Sequence, residues 1–276
     1  MDQPPPSSQP EPPPLLSESP SPSPAAAPAP ATSLAARLLN VFATPGDVFD
    51  EVKVSRTSVA NWLVPILLYG LVGAFSSVLI LSQPAIAQQI HERQQKVFED
   101  QVKAGKMTRE QADSGLSMAE KFSGPAVLKV FGAIGAFFGS FISVFGWAFL
   151  LWLIARFGLK AKLDFMKVVE IAGLASAINM LETLVKMLLV FGLSNPLASP
   201  SLALLLKNPD PKNGLFALLN LVNIMTFWAL AVRAIGVAKL AAAPVGKAAL
   251  WVFGLWLLLM SLLLGLSGVA QKAFGG

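Results

Sequence analysis

Asn179, Glu182 and Lys186 sit inside the otherwise apolar stretch EIAGLASAINMLETLVKMLLVFG, Glu170 to Gly192. A helix turns about 100° per residue, so the three lie within about 60° of one another and form one polar stripe. Ionisable side chains inside a membrane helix are costly, and they mark either a path for an ion or proton or a polar network that satisfies itself. Glu182 precedes Lys186 by four residues, the favourable order for a helical ion pair, so the carboxylate is expected to be neutralised by Lys186 with help from Asn179. Asn220 and Asn223, three residues apart in a later apolar run, offer amides that can face the stripe. Asn179, Glu182, Lys186, Asn220 and Asn223 together form the candidate intramembrane cluster, structural or transport-related.

Other chemistry has few candidates. The chain has no cysteine and one histidine, and it lacks a Gly-rich phosphate loop. His91 opens HERQQ, which departs from a zinc-protease helix where Gln95 stands in place of the second histidine. Neighbouring carboxylates such as Glu99 and Asp100 diverge by about 100° and read as a solvated face. No catalytic residue, metal ligand or cofactor is expected, and the chain is not expected to be an enzyme.

The elements that must hold this cluster follow from composition. With 54% hydrophobic and 13% charged residues, the chain is built for a bilayer. The net charge of +5 lies beside apolar runs, where it sets topology, so the lipid bilayer rather than nucleic acid is the expected partner. Spanning hydrocarbon takes about 20 apolar residues, and in lipid a helix satisfies its own backbone. Five runs meet this test, at about 62–82, 130–155, 168–193, 214–232 and 248–270. The expected fold is an all-α membrane protein of five transmembrane helices, with an extramembrane helical hairpin over 85–123 between spans one and two.

Residues 1–32 contain twelve of the 21 prolines and too little apolar surface to order themselves, so a disordered Pro/Ser/Ala-rich tail is expected. Over 33–60, Leu34, Leu38, Val41 and Phe42 share one face, and Val48, Phe49 and Val52 another, with Pro45 and Gly46 between them. Two short amphipathic helices lying in the membrane interface and packing on the bundle are predicted. Residues 61–276 then form the membrane domain. In its hairpin, Ile86, Ile90, Val97 and Val102 fall near one face, Gly105 stops the first helix, and the TREQ capping box at Thr108 opens the second.

Short-loop charges orient the bundle. Arg156, Lys160, Lys162 and Lys167 follow span two and Arg233, Lys239 and Lys247 follow span four, against Lys207, Lys212 and Lys272 on the opposite side, so the N-terminus is expected in the cytoplasm. In span two, Gly132, Gly135, Gly139 and Gly146 recur on one helical face, a spacing suited to close helix packing within the bundle or, alternatively, in a homo-oligomer.

The order of these parts resembles a known family. LLNVFATPGDVFDEV followed by NWLVPILL, then VVEIAGLASAINMLETLV, and IGVAKLAAAPVGKAALWV between the last two spans, together look like the Yip1-domain family of five-span membrane proteins. The resemblance runs from about Leu34 to the C-terminus and implies a cytoplasmic N-terminus with a short tail on the far side. Eukaryotic relatives act in membrane traffic and associate with Rab GTPases. The Asp-Leu-Tyr-Gly-Pro motif of their cytoplasmic region is missing here, Tyr69 in the first span being the only tyrosine, so GTPase binding does not carry over. The long hairpin is similar to insertions of bacterial versions and implies a bacterial inner (cell) membrane protein. The expected function is a membrane scaffold or adaptor with a protein partner for its N-terminal region, the alternative being a small-solute, ion or proton transporter that uses the polar face of span three.

Overall fold

The structure is a computed structural model; the residues it describes are 32–207, 209–211 and 213–274, without the side chains of 120, 122, 123, 125 and 267–274. The expected disorder of the tail therefore falls outside the described residues, Thr32 excepted. Ten α-helices make up the described chain, and its one β contact is an isolated bridge between Ser201 and Asn223.

Two short helices come first. α1 (Leu34–Ala43) is capped by Ser33, whose hydroxyl accepts from the Ala36 amide, and α2 (Pro45–Val54) begins on a proline whose missing N–H is no loss in a first turn. Their apolar faces pack on the bundle, as expected. Val41, Val48, Phe49 and Val52 are fully or almost fully buried in the main core, chiefly on the seventh and ninth helices.

The first span, α3 (Ala60–Ser82), leads into the hairpin of α4 (Pro84–Lys103) and α5 (Arg109–Ser123). Gly105 takes a φ of +69° between them, and Thr108 and Gln111 complete both bonds of the capping box. The hairpin's predicted apolar face is only partly buried: Ile86 is enclosed while Val97 is 47% exposed, and Phe98 instead abuts Gly115 of α5. α6 (Pro125–Leu153) returns and ends in a π-helical turn, Ile154–Gly158, where the Arg156 guanidinium lies 5.5 Å from the Trp152 ring centroid.

α7 (Phe165–Leu193) is the central helix. Every residue from Val168 to Ile178 is buried, because α3 and α6 pack on one side while α1, α2 and α9 pack on the other. Helix backbones approach closely at glycines: a Cβ on Gly173 would meet Trp62 Cα at 2.4 Å, and one on Gly236 would meet Ile171 at 2.4 Å.

The fourth apolar run departs from the single span expected at 214–232. It forms α8 (Gly214–Leu221) and α9 (Ile224–Ala241), broken at Val222 and Asn223. Only α9 has the length and apolarity of a span, and it runs nine residues past the expected end at 232. The break leaves backbone groups to be satisfied, and the segment before α8 supplies partners: Leu202 N–H donates to Val222 O at 3.0 Å and Ile224 N–H to Pro200 O at 3.3 Å. α10 (Val245–Phe274) packs on α9 and on the π-turn.

Five helices, at 60–82, 126–158, 165–193, 224–241 and 245–266, are therefore long and apolar enough to cross a membrane. The chain is an all-α integral membrane protein with a helical hairpin between its first two spans.

Candidate functional site

Two polar sites lie along α7, one near each end. The first joins α1, α2, α3 and α7 and was not visible in the sequence pattern. Glu170, five residues into α7, is fully buried. Its Oε2 accepts from Asn61 Nδ2 at 2.5 Å, and its Oε1 lies 3.1 Å from Lys167 Nζ. Lys167 also donates to Val52 O at 2.8 Å, at the end of α2. Asn61 Oδ1 in turn accepts from Arg37 of α1 at 3.2 Å, and Arg37 Nε pairs with Glu51 Oε2 at 3.3 Å. Thr32 donates to the other Glu51 oxygen, so the chain of contacts runs from the first described residue into the helix at the centre of the bundle. Two cations and two carboxylates balance, which is what lets an otherwise prohibitive buried carboxylate persist. A further ion pair, Lys239 Nζ to Asp50 Oδ2 at 2.5 Å, ties α2 to α9.

The second site holds the residues singled out from sequence, regrouped. Asn223 Nδ2 donates to Glu182 Oε1 at 2.6 Å, while Asn223 Oδ1 accepts from the amides of Met225 and Thr226. Asn223 is therefore the N-cap of α9, and Glu182 sits beside that helix N-terminus, where a negative charge is favoured. The expected Glu182–Lys186 ion pair does not form. Lys186 has no ion pair or hydrogen bond among the described residues, because Glu182 is held toward α9 by the amide. Asn220 is separate as well: its Oδ1 accepts from Ser199 at 2.8 Å and Ser201 at 3.1 Å, bracing the broken segment. Asn179 contributes its backbone carbonyl to the Thr183 hydroxyl at 2.9 Å.

Arg233 is the charged side chain whose place differs most from the sequence expectation. Expected at a span end, it lies inside α9, 4% exposed, with its Cζ 4.5 Å from the Trp147 ring centroid and its Nε without a hydrogen bond. Tyr69 and Glu182 are the ionisable groups acting on it electrostatically. Asn is a residue type favoured at helix N-caps, the one local signal for the break inside this run, whereas nothing local marks Arg233 as buried.

The glycine face of α6 is also redistributed. Gly132 approaches Ser77 of α3, but a Cβ on Gly135, Gly139 or Gly146 would meet nothing within 4 Å. The close α3–α6 contact is made instead from the α3 side, by Gly70 against Phe137 and Ser140 and by Gly73 against Ala136.

Among the described residues no group of three or more His, Cys, Asp or Glu is placed to hold a metal ion. Comparison with curated proteins and with solved structures gives no match. The sequence profile of the Yip1 domain matches residues 39–266, from α1 to the later turns of α10 and through both polar sites. The chain belongs to the Yip1 domain family.

Proposed function

We propose that this Yip1-domain chain is a membrane scaffold or adaptor, oriented with its N-terminus in the cytoplasm of a bacterial cell whose inner membrane it spans. It presents its proline-rich N-terminal region to a protein partner. One observation carries the reading: the charged chain Thr32, Glu51, Arg37, Asn61, Glu170 fixes the point from which that region departs to the centre of the bundle. A partner bound to such a tail is held at a fixed site on the membrane, without chemistry at the bundle itself. Affinity capture in mild detergent tests this. A specific partner retained by the full chain and lost when residues 1–31 are deleted supports the adaptor; identical captures from both refute it.

A second reading, transport of an ion, proton or small solute, draws on the break at Val222 and Asn223. Discontinuous helices at membrane depth are how many transporters build a substrate site, and here the N-terminus exposed by the break lies beside an ionisable side chain, Glu182. Ion flux from purified protein in liposomes, abolished by Glu182→Gln, would favour transport over the adaptor.

A further inference from the structure

A cavity of about 630 Å³ opens between α3, α6 and α7 beneath the first turns of α4, within the range of about 300–1,000 Å³ that takes drug-sized ligands. Its polar wall is unusual for a helix interface. Lys186 lines it as an exposed ammonium with no close ion pair or hydrogen bond among the described residues, the Glu182 carboxylate acting on it only at longer range. Ser76, 3% exposed, lines it too, and its hydroxyl has no hydrogen-bond partner. Thr183 and Tyr69 add two more hydroxyls. A buried hydroxyl left without a partner forfeits its interaction with water, which folding alone does not favour, and it lines the same cavity as the Lys186 ammonium. Ile80, Ile86 and Ile90 add an apolar wall. Glu182, the nearest carboxylate along α7, does not line the cavity and is engaged by Asn223.

Depth supplies the remaining constraint. Lys186 and Ser76 stand seven and six residues from the ends of their helices on the side where α4 folds over, about 10 Å along each axis, so the polar wall sits just below one membrane surface with the apolar wall beside it. We propose that this groove binds a phosphate-bearing anion, supplied in the bilayer by the head group of an anionic phospholipid. The phosphate pairs with Lys186 and accepts from the Ser76 hydroxyl, and an acyl chain runs along the apolar wall. This inference stands apart from the adaptor and transport readings and survives the failure of either.

The test uses the full chain purified in mild detergent. Binding is read by native mass spectrometry and by the thermal unfolding midpoint, with phosphatidylglycerol, phosphatidylcholine and inorganic phosphate as probes. Phosphatidylglycerol is expected to bind the wild type at least about tenfold more tightly than Lys186→Gln, the range of a hydrogen-bonded charge contact. Lys186→Arg should retain binding, and Ser76→Ala should weaken it about threefold or more. The serine variant, which removes only one hydroxyl, keeps the test valid where Lys186→Gln fails to fold. Inorganic phosphate matching phosphatidylglycerol in effect would support the phosphate chemistry and overturn the lipid as its source. Equal binding of phosphatidylglycerol and phosphatidylcholine, unchanged by Lys186→Gln and Ser76→Ala, would overturn the site.

Discussion

Replacing Lys167 by Met and Glu170 by Gln, singly and together, tests whether the buried pair fastens α2 to the centre of the bundle. The charges are 3.1 Å apart, with Glu170 wholly enclosed and the Lys167 side chain 14% exposed. At an effective dielectric constant of about 20 their attraction is about 5 kcal/mol. Desolvation offsets part of it, leaving an expected coupling of about 2–3 kcal/mol, against about 0.3–0.5 kcal/mol for an exposed helical pair. Lys167→Met leaves the carboxylate with Asn61 as its only hydrogen-bonding partner and should destabilise by about 3–5 kcal/mol. Glu170→Gln is milder, about 1–2 kcal/mol, because the ammonium keeps Val52 O and some water. The double variant should lose less than the sum of the two. Stability is read by denaturant unfolding in detergent, and the state of α1 and α2 by protease cleavage near Thr44. A coupling below about 0.5 kcal/mol, or unfolding of the bundle with no change in cleavage, would refute the fastening described above.

Asn223 does two jobs, and two substitutions separate them. Asn223→Ala should destabilise by about 2–4 kcal/mol through loss of the α9 cap and of the Glu182 hydrogen bond, whereas Asn223→Asp keeps the cap yet sets a second carboxylate against Glu182 and should lose at least as much; a neutral Asp variant in the same unfolding assay refutes the contact. Gly173→Ala forces a methyl onto the Trp62 backbone and should lose about 1–3 kcal/mol or more, while Gly135→Ala, with open space around it, should be neutral or gain up to about 1 kcal/mol, and equal effects would contradict the helix packing described. Leu38→Glu and Phe42→Glu, whose side chains pack on the core, should raise protease access at Thr44, and Leu39→Glu, 71% exposed, should leave the cleavage rate unchanged. Reporter fusions near Ser19 and Lys162 are expected in the cytoplasm and those near Lys106 and Gly276 outside; a cytoplasmic Lys106 reporter overturns the proposed orientation.

Features that depend on neighbours along the chain were legible in the sequence. Apolar run length set the number of spans, since hydrocarbon thickness fixes how many residues a helix needs. Thr108, Gln111 and Gly105 set the hairpin's turn, because capping is decided within four residues. Partnership across the bundle was not legible. The spacing of Glu182 and Lys186 favours an ion pair, but Asn223, 41 residues away, captured the carboxylate when the fourth run broke at its own cap. Hydropathy averages over a window and does not register such a break without Gly or Pro, so the run read as one span and Arg233 as its interfacial end. Glu170 likewise stood at the margin of an apolar run, where a charge normally meets water. Asn61, 109 residues earlier, and the docking of α1 and α2 enclosed it instead. Local sequence determined where helices form and stop. Which polar groups are buried together was decided by tertiary packing, because each must find its partner among helices that approach one another only in the folded bundle.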